Sequence, residues 1–128
     1  MDWTKSSAEL VNLFSELAPK DPRVQQKKMF GWPCCFVNGN LFTGLHKQNI
    51  IFRLPKNDRV AFLELGDTGD FEPMPGHKMT GYMVMAEPLN RNRADLVHWM
   101  QRSLAYTRAL PAKAKKNAPA KNGKNVKR

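Results

Sequence analysis

The 128-residue sequence is short of cysteine, of long apolar runs and of acid. Its two cysteines, Cys34 and Cys35, are neighbours, so they cannot form the framework of a small secreted disulfide-stapled domain. The longest unbroken apolar run is Tyr82-Met83-Val84-Met85-Ala86. A membrane-spanning helix needs about 20 such residues, so none is expected and no membrane partner is expected. The opening Met1-Asp2-Trp3 lacks the basic and apolar regions of a secretory signal, and a reducing, cytoplasmic location is the expectation. Acidic residues number 11 against 21 Lys and Arg, a formal net charge of +10. An imbalance of that size points to an anionic partner such as nucleic acid.

The charge is unevenly spread. Eight basic residues and no acid lie between Arg108 and Arg128, so residues 1–107 hold 13 basic and 11 acidic residues, a net of only +2. Residues 111–128 contain one large apolar side chain, Val126, and two prolines, Pro111 and Pro119. Such a segment cannot bury enough surface to offset the entropy of ordering and is expected to be disordered. The reading is one folded domain over 1–110, followed by a basic tail over 111–128. The tail's Lys113, Lys115, Lys116, Lys121, Lys124, Lys127 and Arg128 are the candidate contacts to nucleic acid, sequence-independent in kind. The tail carries no aromatic residue, so base stacking is not expected of it.

Within the domain, Leu10, Leu13/Phe14 and Leu17 repeat with the period of one helix face. A helix over about 3–18 is expected, with Ser6-x-x-Glu9 as a capping box and Pro19 as its stop. A strand over 24–30 follows, with Gly31 freeing the backbone for a bulge or bend between strands. Next comes the apolar Cys34-Cys35-Phe36-Val37. Asn38-Gly39 supplies the two positive φ angles of a type I′ hairpin turn, and 41–45 returns as the partner strand. His46-Lys47-Gln48-Asn49 reads as a second turn into Ile50-Ile51-Phe52-Arg53-Leu54, which Pro55 ends. A short helix over 56–65 should turn Val60, Leu63 and Phe62 inward, with Gly66 as its C-cap. Residues 67–80 read as a loop and 81–86 as a strand. Residues 91–110 read as a last helix with Leu96, Trp99/Met100 and Leu104 inward and Asn90 or Asn92 as N-cap. The class is α+β: a mainly antiparallel sheet of about five to six strands, flanked by an N-terminal helix, a C-terminal helix and one short helix.

Motifs that would carry chemistry are incomplete. Gly39 and Gly44 have the opening spacing of a phosphate-binding loop, but Leu45-His46 stand where Lys and Ser/Thr are needed. Cys34 and Cys35 sit on one strand and should point to opposite faces, one in the core and one half-exposed. Metal-chelating cysteines are normally separated by two to four residues, so no metal or other cofactor is expected. A redox role for a thiol near Lys27 and Lys28 would require a lowered pKa. Asp67, Asp70 and Glu72 read as solvated turn formers, and His98 as a packed or exposed helical residue. Met83 and Met85 share one strand face and read as core filling. No residues assemble into a catalytic constellation, so the domain reads as non-enzymatic.

Several stretches occur in order that, together, resemble the N-terminal domain of the TfoX/Sxy family. They are Lys28-Met29-Phe30-Gly31, Phe36-Val37-Asn38-Gly39-Asn40-Leu41-Phe42, Ile51-Phe52-Arg53-Leu54, Phe71-x-Pro73-Met74-x-Gly76, Met79-x-x-Tyr82 and the last helix with Trp99 and Leu110-Pro111. The resemblance covers roughly residues 5–115. At Trp32-Pro33-Cys34-Cys35 the sequence departs from members that carry a further glycine and a Tyr-Gly pair, which makes it similar to the stand-alone branch of the family. The resemblance implies a curved antiparallel sheet with flanking helices, similar to secretion-chaperone-like folds. It also implies an association with bacterial competence and transcription regulation. The founding members carry a second domain of helix-hairpin-helix character, where this sequence has its basic tail. Met29, Phe30, Gly31, Gly39 and Arg53 match the family's motif positions and read as structural. Arg53, a charge within an apolar strand, is either an outward-facing residue or one arm of an ion pair with Asp67, Asp70 or Glu72. The leading expectation is therefore a non-enzymatic regulatory or interaction module with a nucleic-acid-contacting tail. The alternative is a small-ligand-binding or enzymatic domain, its pocket between the sheet and the last helix and using Arg53, His46 or His77. Homodimerisation through a sheet edge or the Met-rich strand is a third expectation.

Overall fold

Four strands in succession are joined by turns too short for anything but antiparallel pairing. In the computed structural model, which describes residues 5–112, these are β1 (Val24–Met29), β2 (Trp32–Val37), β3 (Asn40–His46) and β4 (Asn49–Arg53). Each turn places a non-glycine residue at positive φ: Phe30 at 53°, Asn38 at 53° and Lys47 at 58°. Gly31 and Gly39 follow at 86° and 77°, completing the two left-handed positions of a type I′ turn. Gly31 thus closes the β1–β2 hairpin, the bend between strands rather than the bulge of the two expected alternatives. The bulge lies elsewhere: the β2–β3 register slips between Cys35 and Phe36, so that Phe42 is the extra residue.

The chain then forms α2 (Lys56–Leu63), crosses to a short edge strand β5 (Thr68–Asp70) and returns as β6 (Tyr82–Met85) between β4 and β5. The sheet is open and antiparallel throughout, ordered β1-β2-β3-β4-β6-β5. The three-residue β5 lies inside the stretch read as loop. It is too short to carry an alternating pattern.

Directly paired residues share a face of a sheet. Leu45 pairs with Ile50, Ile50 with Met85, and Phe52 with Met83, and all are buried in the main core. The helices α1 (Ala8–Leu17) and α3 (Arg93–Arg108) cover this face. Leu10, Phe14 and Leu17 of α1 and Leu96, Trp99, Met100 and Leu104 of α3 are buried against it. The rings of Phe52, Phe62 and Trp99 meet edge-on at 5.9 and 5.1 Å, each such pair adding about 0.5–1.5 kcal/mol beyond its buried area. Met83 and Met85 are core residues, as expected.

Two details differ from the sequence reading. The cap of α1 is Ser7, whose Oγ accepts from the Leu10 N–H at 3.1 Å; Ser6 instead donates to the Lys47 carbonyl. The N-cap is therefore displaced by one residue to Ser7, Leu10 rather than Glu9 falls at the position where a capping box needs Glu or Gln, and α1 starts at Ala8. In α2 only Phe62 is buried, while Val60 and Leu63 face solvent. That helix lies against the edge strand β5, and Phe62 alone of its residues turns into the core. The last helix begins at its expected cap, Asn92, whose Oδ1 accepts from the Ala94 N–H at 2.7 Å.

At one point the β3–β4 ladder is completed by a helix. Pairing runs from His46–Asn49 to Thr43–Phe52. One step further, the buried Ser103 of α3 donates to the Phe42 carbonyl at 2.6 Å and accepts from the Arg53 N–H at 3.1 Å. The hydroxyl thus fills the gap opened by the bulge and pins α3 to the sheet.

Candidate functional site

The second face of the sheet, away from α1 and α3, carries Trp32, Cys34, Phe36 and Leu41 from β2 and β3. It continues with Gly44, His46 and Ile51 and ends at Arg53 and Tyr82. The segment after β5 folds back over part of it: the Phe71 N–H donates to the Tyr82 carbonyl at 2.9 Å, and the Met79 N–H to the Phe71 carbonyl at 2.9 Å. Between this segment and the sheet lies an apolar cavity of about 130 Å³. Ile51 and Cys34 form its floor, and Trp32, His46 and Phe71 its wall. Met29 and Phe30 at the β1–β2 hairpin tip, with Pro73 and Met79 of the covering segment, form its rim. The floor and wall residues Ile51, Cys34, Trp32 and Phe71 are at most 6% exposed, whereas Phe30 is 67% exposed.

The wall is a row of rings. Trp32 and His46 have centroids 4.8 Å apart, tilted at 58°, and His46 and Phe71 lie 5.0 Å apart, edge to face at 75°. Gly44 sets the floor. A Cβ there would stand 2.6 Å from Cys34 Sγ and 3.2 Å from the Pro33 carbonyl oxygen, so the cysteine occupies the space a side chain at 44 would need. The glycine that looked like half of a phosphate loop is a mid-strand residue under a thiol.

Both cysteines are buried, Cys34 under the second face and Cys35 in the main core. The half-exposed cysteine of the sequence reading is not found, because the covering segment gives the sheet a second buried face. Burial pushes the Cys34 thiol up to about 11 and the Cys35 thiol up to about 12. Neither is a poised thiolate at neutral pH, which contradicts the redox reading. Lys27 is opposite Cys34 in register, but its Nζ lies over the Phe36 ring, 5.3 Å from the centroid.

Arg53 is not part of the cavity lining, and neither is His77. The expected pocket between the sheet and the last helix is thus displaced to the opposite face, because side chains of α3 fill the space beneath it. Of the three residues proposed for it, His46 alone lines the cavity. Arg53 lies over the Tyr82 ring, 5.4 Å from the centroid, and no ion pair joins it to the nearby acids among the described residues. Asp70 pairs with Lys78 at 3.2 Å, and Glu72 accepts from the Gly76 N–H at 2.6 Å. Tyr82 donates to the Leu41 carbonyl at 2.9 Å, and burial pushes its phenol up while Arg53 opposes the shift.

Met29, Phe30 and Gly31 form the hairpin tip at the cavity rim, whereas Gly39 closes the next hairpin at the other end of the strands. Trp32, Ile51, Phe71 and Met79 appear in the sequence only within the stretches compared with the family, and Gly44 only as half of the rejected phosphate loop; none was read as a site residue. Among the described residues no three His, Cys, Asp or Glu side chains are grouped so as to hold a metal ion, and no helix is long and apolar enough to cross a membrane. The seven basic candidates from Lys113 to Arg128 lie outside the described residues.

The fold and this face define an α+β domain built on an open antiparallel sheet, helices on one side and a partly covered apolar surface on the other. The chain belongs to the family of the TfoX N-terminal domain, whose model matches residues 13–107. That membership supports a general regulatory, competence-related character for the domain. No curated protein and no solved structure matches the chain.

Proposed function

We propose that the chain is a non-enzymatic regulatory or interaction module acting in bacterial competence or transcription control, with its basic residues 113–128 contacting nucleic acid without sequence preference. The observation that carries the regulatory reading is the family match over residues 13–107, which spans nearly all of the described domain. The tail's seven Lys and Arg beyond Pro111 support the nucleic-acid contact. Each engaged phosphate contributes a salt slope of roughly −0.9, so engagement of half of the seven predicts a slope of about −3. Titration of duplex DNA with the full chain and with a chain lacking residues 111–128, over a salt series, tests this. The full chain should bind with a steep slope and the shortened one should lose it. Equal binding by both forms, or none by either, refutes the contact.

A second reading, small-ligand binding, is favoured by the cavity beside His46. Self-association would use the β1 edge of the sheet, because the Met-rich strand β6 is internal and its methionines face the core. Light scattering on the eluting protein reads the mass directly.

A further inference from the structure

The lining of the open-face cavity selects among ligand chemistries. Its wall is three rings, Trp32, His46 and Phe71. Cys34, Met29 and Met79 add three sulfur-bearing side chains. Aromatic rings pair edge to face at about 4.5–7 Å, and sulfur sits favourably about 5 Å from a ring edge. Such a lining prefers a flat π-system to a saturated ring of the same volume. The volume, about 130 Å³, is close to that of the cavity of about 150 Å³ known to hold one benzene ring.

Charge is disfavoured. Among the described residues the lining contains no Asp, Glu, Lys or Arg, so a carboxylate or ammonium would shed its water without a counter-charge. The Cys34 thiol, held up at about 11 by burial, is uncharged at neutral pH.

Phe30 supplies an independent observation. It sits on the rim, 67% exposed, with φ at 53° in a two-residue hairpin turn. Asn or Gly holds that conformation with less strain. Phe30 stands at the cavity mouth, where its exposed ring can cover a bound one.

The geometry points to a binding site for a small uncharged molecule with one aromatic ring, seated between Trp32, His46 and Phe71, with Phe30 closing over it. This rests on the ligand-binding reading of the cavity and names the class of ligand.

The test is a titration of the full chain with toluene, methylcyclohexane and benzoate, followed by NMR at the Trp32 indole N–H and the Ile51 and Met79 methyl groups. Toluene should give a saturable shift at these groups, with methylcyclohexane at least fivefold weaker and benzoate at least tenfold weaker. In Phe30→Asn, toluene should bind at least threefold more weakly while Tm stays equal or rises. No saturable shift with any probe overturns both the site and the ligand-binding reading. Methylcyclohexane or benzoate binding as well as toluene overturns the aromatic assignment alone. Unchanged toluene affinity in Phe30→Asn, with Tm lowered, overturns the closing role of Phe30 and makes it a structural residue.

Discussion

The floor of the cavity can be tested by adding a single carbon. In Gly44→Ala the new Cβ would stand 2.6 Å from Cys34 Sγ, closer than such atoms approach, and 3.2 and 3.3 Å from the Pro33 carbonyl oxygen and Cys34 Cβ. The sulfur cannot swing freely, since Cys34 is 4% exposed and its Sγ sits 3.6 Å from the Trp32 carbonyl oxygen, within sulfur hydrogen-bond range. Overpacking of this kind costs about 1–3 kcal/mol, and the clash with sulfur is the larger part of it. Cys34→Ala removes the sulfur and leaves the two milder contacts, which a shift of a few tenths of an ångström relieves. Gly44→Ala should therefore cost about 2 kcal/mol in the parent chain and less than half of that in the Cys34→Ala background. Urea unfolding of the four chains of this cycle, followed by tryptophan fluorescence, gives the coupling energy. A coupling of about 1 kcal/mol is expected. Effects that add to within about 0.3 kcal/mol would show that the thiol does not occupy the space above Gly44, and the proposed floor of the site would fall with it.

Ser103→Ala removes the hydroxyl that links the Phe42 carbonyl and the Arg53 N–H, leaving buried backbone groups without it. A loss of about 2 kcal/mol is expected, lowering Tm by roughly 8–16 °C in a calorimetric scan; a change under about 0.5 kcal/mol would mean that the strands close on each other unaided. The two buried thiols make the fold sensitive to alkali. Their folded pKa values, about 11 and about 12, exceed the ordinary 9.0, so the unfolded chain gives up these protons first. This contribution to stability is whole below about pH 9 and falls as pH rises toward the folded values, by about 1.4 kcal/mol per unit for each thiol. Unfolding free energies from urea titrations at pH 8 and 10 should differ by about 2.7 kcal/mol more in the parent chain than in Cys34→Ala/Cys35→Ala, and equal differences would refute it.

Much of the fold follows from local signals. Asn38-Gly39 specifies its hairpin because few other pairs accept two positive φ angles, and both residues adopt them. The buried stripe of α3 recurs at Leu96, Trp99, Met100 and Leu104, the positions that a period of 3.6 selects. The misreadings arise where tertiary contacts override a local preference. Ser6 had the right spacing to cap α1, but its hydroxyl is taken by the Lys47 carbonyl, 41 residues away, and Ser7 caps in its place. Val60 and Leu63 are apolar and in helical phase, yet among the described residues no element lies over them, and both stay exposed. Phe30-Gly31 was hidden as a turn because a phenylalanine is a poor candidate for positive φ.

The site was harder to read than the fold because a search for charged and nucleophilic side chains passes over an apolar cavity. Arg53 and His77 drew notice by their chemistry, and neither lines it. One signal was nevertheless present. Ile50, Ile51 and Phe52 are consecutive and apolar, and a strand with one wet face should alternate instead. All three are buried, so β4 is covered on both sides. The helices supply one cover, over Ile50 and Phe52. The other, over Ile51, is the non-helical segment that runs from Phe71 to Met79, tied to the sheet through the Tyr82 carbonyl. A segment of irregular backbone cannot pack as continuously as a helix stripe, because its own polar groups must also find partners. The cavity lies where that weaker cover meets the β1–β2 hairpin tip. An unbroken apolar run in a strand with helices for only one face thus marks where a second, looser cover must lie and where a ligand can enter beneath it.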